Sequence, residues 1–157
     1  SRNARGINIG GLGAGAGQDM IGLNIGGFGL GAGERLAGIN ISGFGAGAGK
    51  RLTGLTISGF AAGSTEVVGL TIGGFAVGGE FIKGIHLAGG MVHVVRGGQM
   101  VGLAVSSFNY FKGSQNGLAI GIVNYAFRVK GVQIGLVNIV RDNPKHLRVL
   151  PVMNTSF

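Results

Sequence analysis

Residues 22–53 read GLNIGGFGLGAGERLA and then GINISGFGAGAGKRLT, two copies of one 16-residue unit. A third copy, GINIGGLGAGAGQDMI, precedes them from Gly6, so the period is unbroken over residues 6–53. Six more copies begin at Gly54, Gly69, Gly84, Gly102, Gly117 and Gly131, spaced by 15, 15, 18, 15 and 14 residues. Self-similarity at a short fixed period marks a repeat architecture, in which stacked neighbours bury what one unit cannot.

The columns of this alignment carry the physics. Position one is Gly in all nine copies, position two is Ile, Leu or Val, and position four is Ile9, Ile25, Ile41, Ile57, Ile72, Leu87, Val105, Ile120 and Ile134. Apolar residues two apart define one face of a short β-strand. Position seven (Leu12, Phe28, Phe44, Phe60, Phe75, then Phe108, Val123 and Val137) is out of phase with them. A small pair such as Gly26-Gly27 or Ser42-Gly43 lies between, where a strand keeping its apolar side chains on one side needs a bend. Asn109, Asn124 and Asn138 share position eight, suited to a left-handed turn or a stacked amide ladder.

Charge has the same period. Gln18-Asp19, Glu34-Arg35, Lys50-Arg51, Glu66, Glu80 and Lys83 fall near repeat ends, giving each unit one solvated corner. Stacked in parallel, the columns Gln18, Glu34, Lys50, Glu66, Glu80 and Asp19, Arg35, Arg51 place opposite signs on several adjacent layers.

Two architectures accommodate this pattern. The favoured one is an all-β repeat protein, a β-solenoid of about nine coils of 14–18 residues with a C-terminal capping strand. The alternative is a ten-stranded antiparallel β-barrel of outer-membrane type, nine copies plus the tail, ending in Phe157. Against the barrel, both faces of each strand would be Gly or apolar, and a unit copied strand by strand would reverse direction at every copy. The chain reads as one domain over residues 1–157. Gly-rich repeats fill 6–101, repeats with Asn and aromatics fill 102–146, and a terminal strand fills 147–157.

Composition narrows the function classes. The chain has 36 Gly in 157 residues but 2 Pro and no G-X-Y triplet, which excludes collagen. At 45% apolar residues it is too hydrophobic for a disordered coil. With no Cys there are no disulfides, thiolate metal sites or Cys nucleophiles. The net charge of +8 is compatible with nucleic acid or an anionic membrane surface. The start at Ser1 reads as a processed or trimmed product, and a transmembrane helix is not expected among such Gly-broken runs.

The stretches GLAIGIVNYAFRVKGVQIGLVNIVRDNPK and LRVLP resemble a bacterial family of surface-repeat proteins built from Gly-Leu/Val-x-Ile-Gly-Leu-x-Asn units. The resemblance is close over residues 102–157 and follows the repeat pattern alone before that. It implies export in bacteria and an envelope or surface location, with no established activity and no functional residues to carry over.

Little in the sequence points to catalysis. GFGAGAGKR, residues 43–51, has Phe44 where a phosphate loop needs Gly, and Arg51 where it needs Ser or Thr. His86 and His93 share the sixth repeat without a nearby carboxylate. His86 stands in a column of Asn and Thr and is expected to face solvent. Asp19, Glu34, Glu66 and Glu80 are repeat corners and Asp142 a turn residue, while Ser42, Ser58 and Ser106 share one column, so no acid–base pair or nucleophile stands out. Thr56 and Thr71 make only two rungs of an ice-binding-like array.

The expected role is therefore a non-enzymatic structural or interaction module of the bacterial cell envelope or surface, without catalytic, cofactor or metal residues. Its expected partners are further copies joined end to end, an envelope protein, or a membrane or lipopolysaccharide surface. A small outer-membrane barrel is the alternative. A second alternative is a polyanion-binding module using Lys112, Arg128, Lys130, Arg141, Lys145 and Arg148 in the basic C-terminal third. Nucleic acid is the less expected polyanion.

Overall fold

The computed structural model describes residues 2–156. Ser1, and the terminal Phe157 invoked for a barrel, lie outside the described residues. The strands are β1 (Asn3–Gly10), β2 (Gly13–Ala16), β3 (Asp19–Gly26), β4 (Gly29–Ala32), β5 (Arg35–Ser42), β6 (Gly45–Ala48), β7 (Arg51–Ser58), β8 (Ala61–Gly73), β9 (Ala76–Ala88), β10 (Met91–Val105), β11 (Phe108–Ile120), β12 (Val123–Val140) and β13 (Val149–Ser156). A single 3-10 turn, Lys145–Leu147, precedes the last strand. No helix among them is long and apolar enough to cross a membrane.

β1, β3, β5, β7, β8, β9, β10, β11 and β12 stack in that order. Every pairing between them is parallel, and β13 closes the series antiparallel to β12. Nine rungs thus bound about eight full turns of a β-solenoid, a rod of ~43 Å at ~4.8 Å per rung. An up-and-down barrel would alternate strand direction at each step, so the ten-stranded alternative is overturned. β13 is the capping strand expected from the tail.

The position-one glycines explain how a strand becomes a coil. They lie in register through all nine rungs, from Gly6 to Gly131. Each has φ between +97° and +140°, which bends the strand where L side chains are strained. From Gly22 onward, a Cβ would also collide with the carbonyl oxygen of the preceding Gly in the column. Each coil therefore has three bends: this Gly, a corner such as Gly43-Phe44, and the charged corner such as Gly49-Lys50. We call the intervening stretches side A (Arg35–Ala37), side B (Ile39–Ser42) and side C (Gly45–Ala48), and carry the names to the other coils.

Alternation about these bends decides what is inside. On β5 and β6, Leu36, Asn40, Ser42 and Ala46 are buried, while Ile39, Ile41 and Phe44 are exposed. The core is the side A column Met20, Leu36, Leu52, Val67, Ile82 and Met100, packed with Leu30, Ala46, Ala62, Val77 and Val92 of side C and, in the later coils, Phe111, Ala126 and Val140. The phase switch read from the sequence is real, but positions two, four and seven point outward. Position three, expected in solvent, points inward: Asn24, Asn40, Thr56, Thr71 and His86 are buried. A 15- or 16-residue coil has too narrow an interior for two ranks of Ile, and its small polar side chains can satisfy one another along the axis.

That satisfaction is explicit. Nδ2 of Asn8 donates to Oδ1 of Asn24 at 2.7 Å, Nδ2 of Asn24 to Oδ1 of Asn40 at 2.7 Å, and Nδ2 of Asn40 to Oγ1 of Thr56 at 3.1 Å. A second ladder runs from Asn109 to Asn124 (2.7 Å) to Asn138 (2.8 Å), and these amides also donate to carbonyls of Ile120, Ile134 and Gly135. Of the two options for this column, the stacked ladder is the one adopted. Asn124→Asp replaces a donor facing two acceptors by a buried anion, so it should cost about 3 kcal/mol or more at pH 7. Urea denaturation checks this, and the penalty should shrink in acid as the carboxyl protonates.

Candidate binding surfaces

Side B is an uninterrupted aliphatic sheet. Its outward pairs run Ile7/Ile9, Leu23/Ile25, Ile39/Ile41, Leu55/Ile57, Leu70/Ile72, Ile85/Leu87, Leu103/Val105, Leu118/Ile120 and Val132/Ile134. No polar or charged side chain interrupts them. Phe28, Phe44, Phe60 and Phe75 extend the sheet along the next corner, with rings stacked at 4.8, 4.8 and 5.2 Å. They remain 43–61% exposed, because each covers only its neighbours. Hydrogen bonding shows that the Phe column continues into Gly90, Ser107 and Ile122, not Phe108 and Val123. Where the large rings stop, an apolar recess of about 580 Å³ opens, lined by Val105, Ile120, Ile122, Ile134, Leu136 and Val152 among others.

The column bordering side B across the Gly bend reads Arg5, Ile21, Ala37, Thr53, Val68, Lys83, Val101, Asn116 and Lys130. It holds three exposed cations and no acid. In the N-terminal coils the charges beyond it neutralise one another: Asp19 with Arg35 at 2.9 Å, Glu34 with Lys50 at 3.0 Å and Arg51 with Glu66 at 2.6 Å. The Arg35 hydrogen bond holds the Asp19 carboxyl below its ordinary value. Glu66 stands opposite Arg51 and not Lys50 as expected, because that turn of the coil is one residue shorter.

The six basic residues singled out from the sequence do not form one site. Lys112 and Arg141 line a common groove, with Arg128 at the edge of its neighbour. Lys130 lies in the column beside side B. Lys145 opens the 3-10 turn at the capped end and Arg148 follows it, where Nε of Arg148 donates to the Asn143 carbonyl at 3.0 Å. Arg96, which sequence reasoning passed over, joins the groove through the longer sixth coil.

The remaining candidates have structural roles. Ser58 Oγ lies 2.7 Å from the carbonyls of Phe44 and Ala61, and Ser106 Oγ lies 2.7 Å from that of Phe108, so these hydroxyls tie down corners. Lys50 is paired, and GFGAGAGKR spans a corner, a strand and a corner with no helix to receive a phosphate. Thr56 and Thr71 face inward, so they offer no array to ice. His86 is fully buried, correcting the expectation of a solvent-facing ring, and neither ring nitrogen has a well-formed hydrogen bond. Desolvation pushes its imidazole down to about 4, against a smaller opposing pull from the Lys83 backbone. His93 stacks on Tyr110 at 5.6 Å. No group of three His, Cys, Asp or Glu is placed to hold a metal among the described residues.

Comparison with family models, curated proteins and solved structures returned no match.

Proposed function

We propose that this protein is a non-enzymatic interaction module of the bacterial envelope that lies on a lipid surface through side B. The observation carrying this reading is the aliphatic face, unbroken over nine rungs. From strand and rung spacings it measures roughly 43 Å by 13 Å, about 560 Å² before the Phe corner is added, at the upper end of what a soluble monomer exposes.

Lipid fits this face better than a protein partner. Its backbone groups are spent in the parallel ladder, and its side chains offer no polar contact to set specificity. Because every rung repeats the last, a protein surface could slip by one coil without penalty, whereas fluid acyl chains need no register. The recess near Val105 and Ile134 has the size and polarity to take part of a chain. Arg5, Lys83 and Lys130 stand where anionic headgroups would meet the margin of the face. The surface-repeat resemblance supports an envelope setting.

Flotation with vesicles of phosphatidylcholine and phosphatidylglycerol tests this. The protein should float with the lipid, and the double variant Ile39→Glu/Ile57→Glu should bind about three orders of magnitude more weakly, from ~2 kcal/mol for each aliphatic side chain no longer buried. Both positions point outward, so the coil is kept. Failure of the unsubstituted protein to float, or equal flotation of the variant, overturns the reading. Sedimentation of lipid-free samples identifies association between copies, which would claim the same face or the unpaired edge of β1 instead.

A further inference from the structure

The corner between sides C and A, opposite side B in the coil, changes character along the rod. In the first four coils its cations face carboxylates. Between Glu80 and Asp142 there is no Asp or Glu at all. In that stretch Arg96, Lys112 and Arg141 line one open groove of about 380 Å³ together with Tyr110, Tyr125 and Phe127. Arg96 and Lys112 also border an adjoining groove of about 350 Å³, whose other walls include Gly97, Gly98, Gly113, Ser114 and Arg128. Arg128 is paired with Asp142 at 3.1 Å, while Arg96, Lys112 and Arg141 have no carboxylate partner among the described residues.

The local geometry is built and not incidental. The sixth turn of the coil is the longest, and its extra residues enter where the register breaks between Val94 and Gln99. Gly97, at φ +80°, turns the chain outward there. The groove is braced by His93 and Tyr110, stacked at 5.6 Å, and by Tyr125, tilted 41° against Tyr110 at 5.0 Å, with Nζ of Lys112 5.4 Å from the Tyr110 centroid. The like charges of Arg96 and Lys112 on adjacent coils, with Arg141 two coils beyond, repel one another unless a ligand supplies the opposite sign.

We infer that this groove binds a linear anionic glycan, whose acid groups meet Arg96 and Lys112 on adjacent coils and Arg141 two coils further on, past Phe127. Between the charges, the tyrosine hydroxyl edges and the glycine backbone offer neutral hydrogen bonds to a hydroxyl-bearing chain. Single-stranded nucleic acid fits less well, because the His93 and Tyr110 faces it would stack on are turned toward one another and Lys112 already stands over the Tyr110 ring. The inference stands on the groove and is independent of lipid binding by side B.

Titration in lipid-free buffer with a heparin oligosaccharide as the probe, against single-stranded DNA of equal charge, tests it. The triple variant R96Q/K112Q/R141Q should bind heparin about tenfold or more weakly, with a shallower salt dependence. R2Q/K50Q/K145Q removes the same charge from elsewhere on the rod and should stay within about threefold of the unsubstituted protein. All six side chains are on the surface, so circular dichroism should show both triples folded. Equal losses in the two triples reduce the effect to net charge and overturn the site. Undetectable heparin binding, or tighter binding of the DNA, overturns the glycan assignment.

Discussion

Gly54→Ala should cost the fold about 3 kcal/mol or more, whereas Gly31→Ala should leave stability unchanged or raise it by about 0.5 kcal/mol. Gly54 has φ +100°, and an added methyl would run into the Gly38 carbonyl, part of a backbone ladder that cannot yield without breaking hydrogen bonds to the coil beneath. Gly31 lies in an extended side C segment, and a Cβ there meets nothing within 4 Å. Thermal denaturation should separate the two variants by about 10 °C for a chain of this size. Since each coil touches mainly its neighbours, hydrogen exchange should show the loss of protection centred on β5, β7 and β8. Equal melting temperatures for the two variants would show that the column does not set the bend.

Acid should weaken the rod in a window that belongs to histidine. The folded state holds His86 neutral with its value near 4, while the unfolded chain restores the ordinary 6.5. As pH falls below 6.5 the unfolded chain takes up the proton first, so stability is complete above that value and is lost progressively down to about 4. The full loss is about 3 kcal/mol. His93 is shifted the same way, by desolvation and then by Lys112, and adds to the slope. Asp19 acts in a lower window: its carboxyl is held below 3.8 by Arg35, so its contribution is lost only as pH drops below the usual carboxylate range. Urea denaturation at pH 7 and pH 4.5 should show the loss, and His86→Asn, which continues the amide column, should remove most of it. An unchanged pH dependence in His86→Asn would sink this account.

The coil was legible in the sequence because the Gly column, the charged corner and the small pair before Phe28 or Phe44 mark its bends one by one. The inside was not. Isoleucine at positions two and four looks like core by hydropathy, and Asn at position three looks like surface, since neither type reveals the coil's width. What signals the interior is a column that the periodicity left unremarked, Met20 to Met100, two residues before each Gly, and the recurrence of Asn at a spacing that lets one amide reach the next. Arg96 was missed for a related reason. It belongs to no column, and only the widened sixth coil carries it to Lys112 and Arg141.

The rung-by-rung ladder also gives the molecule a hidden length. A 16-residue coil adds ~4.8 Å to the rod yet contains ~54 Å of extended chain. Drawn out by its two ends, the chain is loaded so that one rung peels from the next and not so that all shear together. Each released coil then pays out about eleven times the distance it had occupied. Among the described residues the antiparallel clasp of β13 on β12 is the one join of different polarity, so it resists that peeling differently from the eight beneath it.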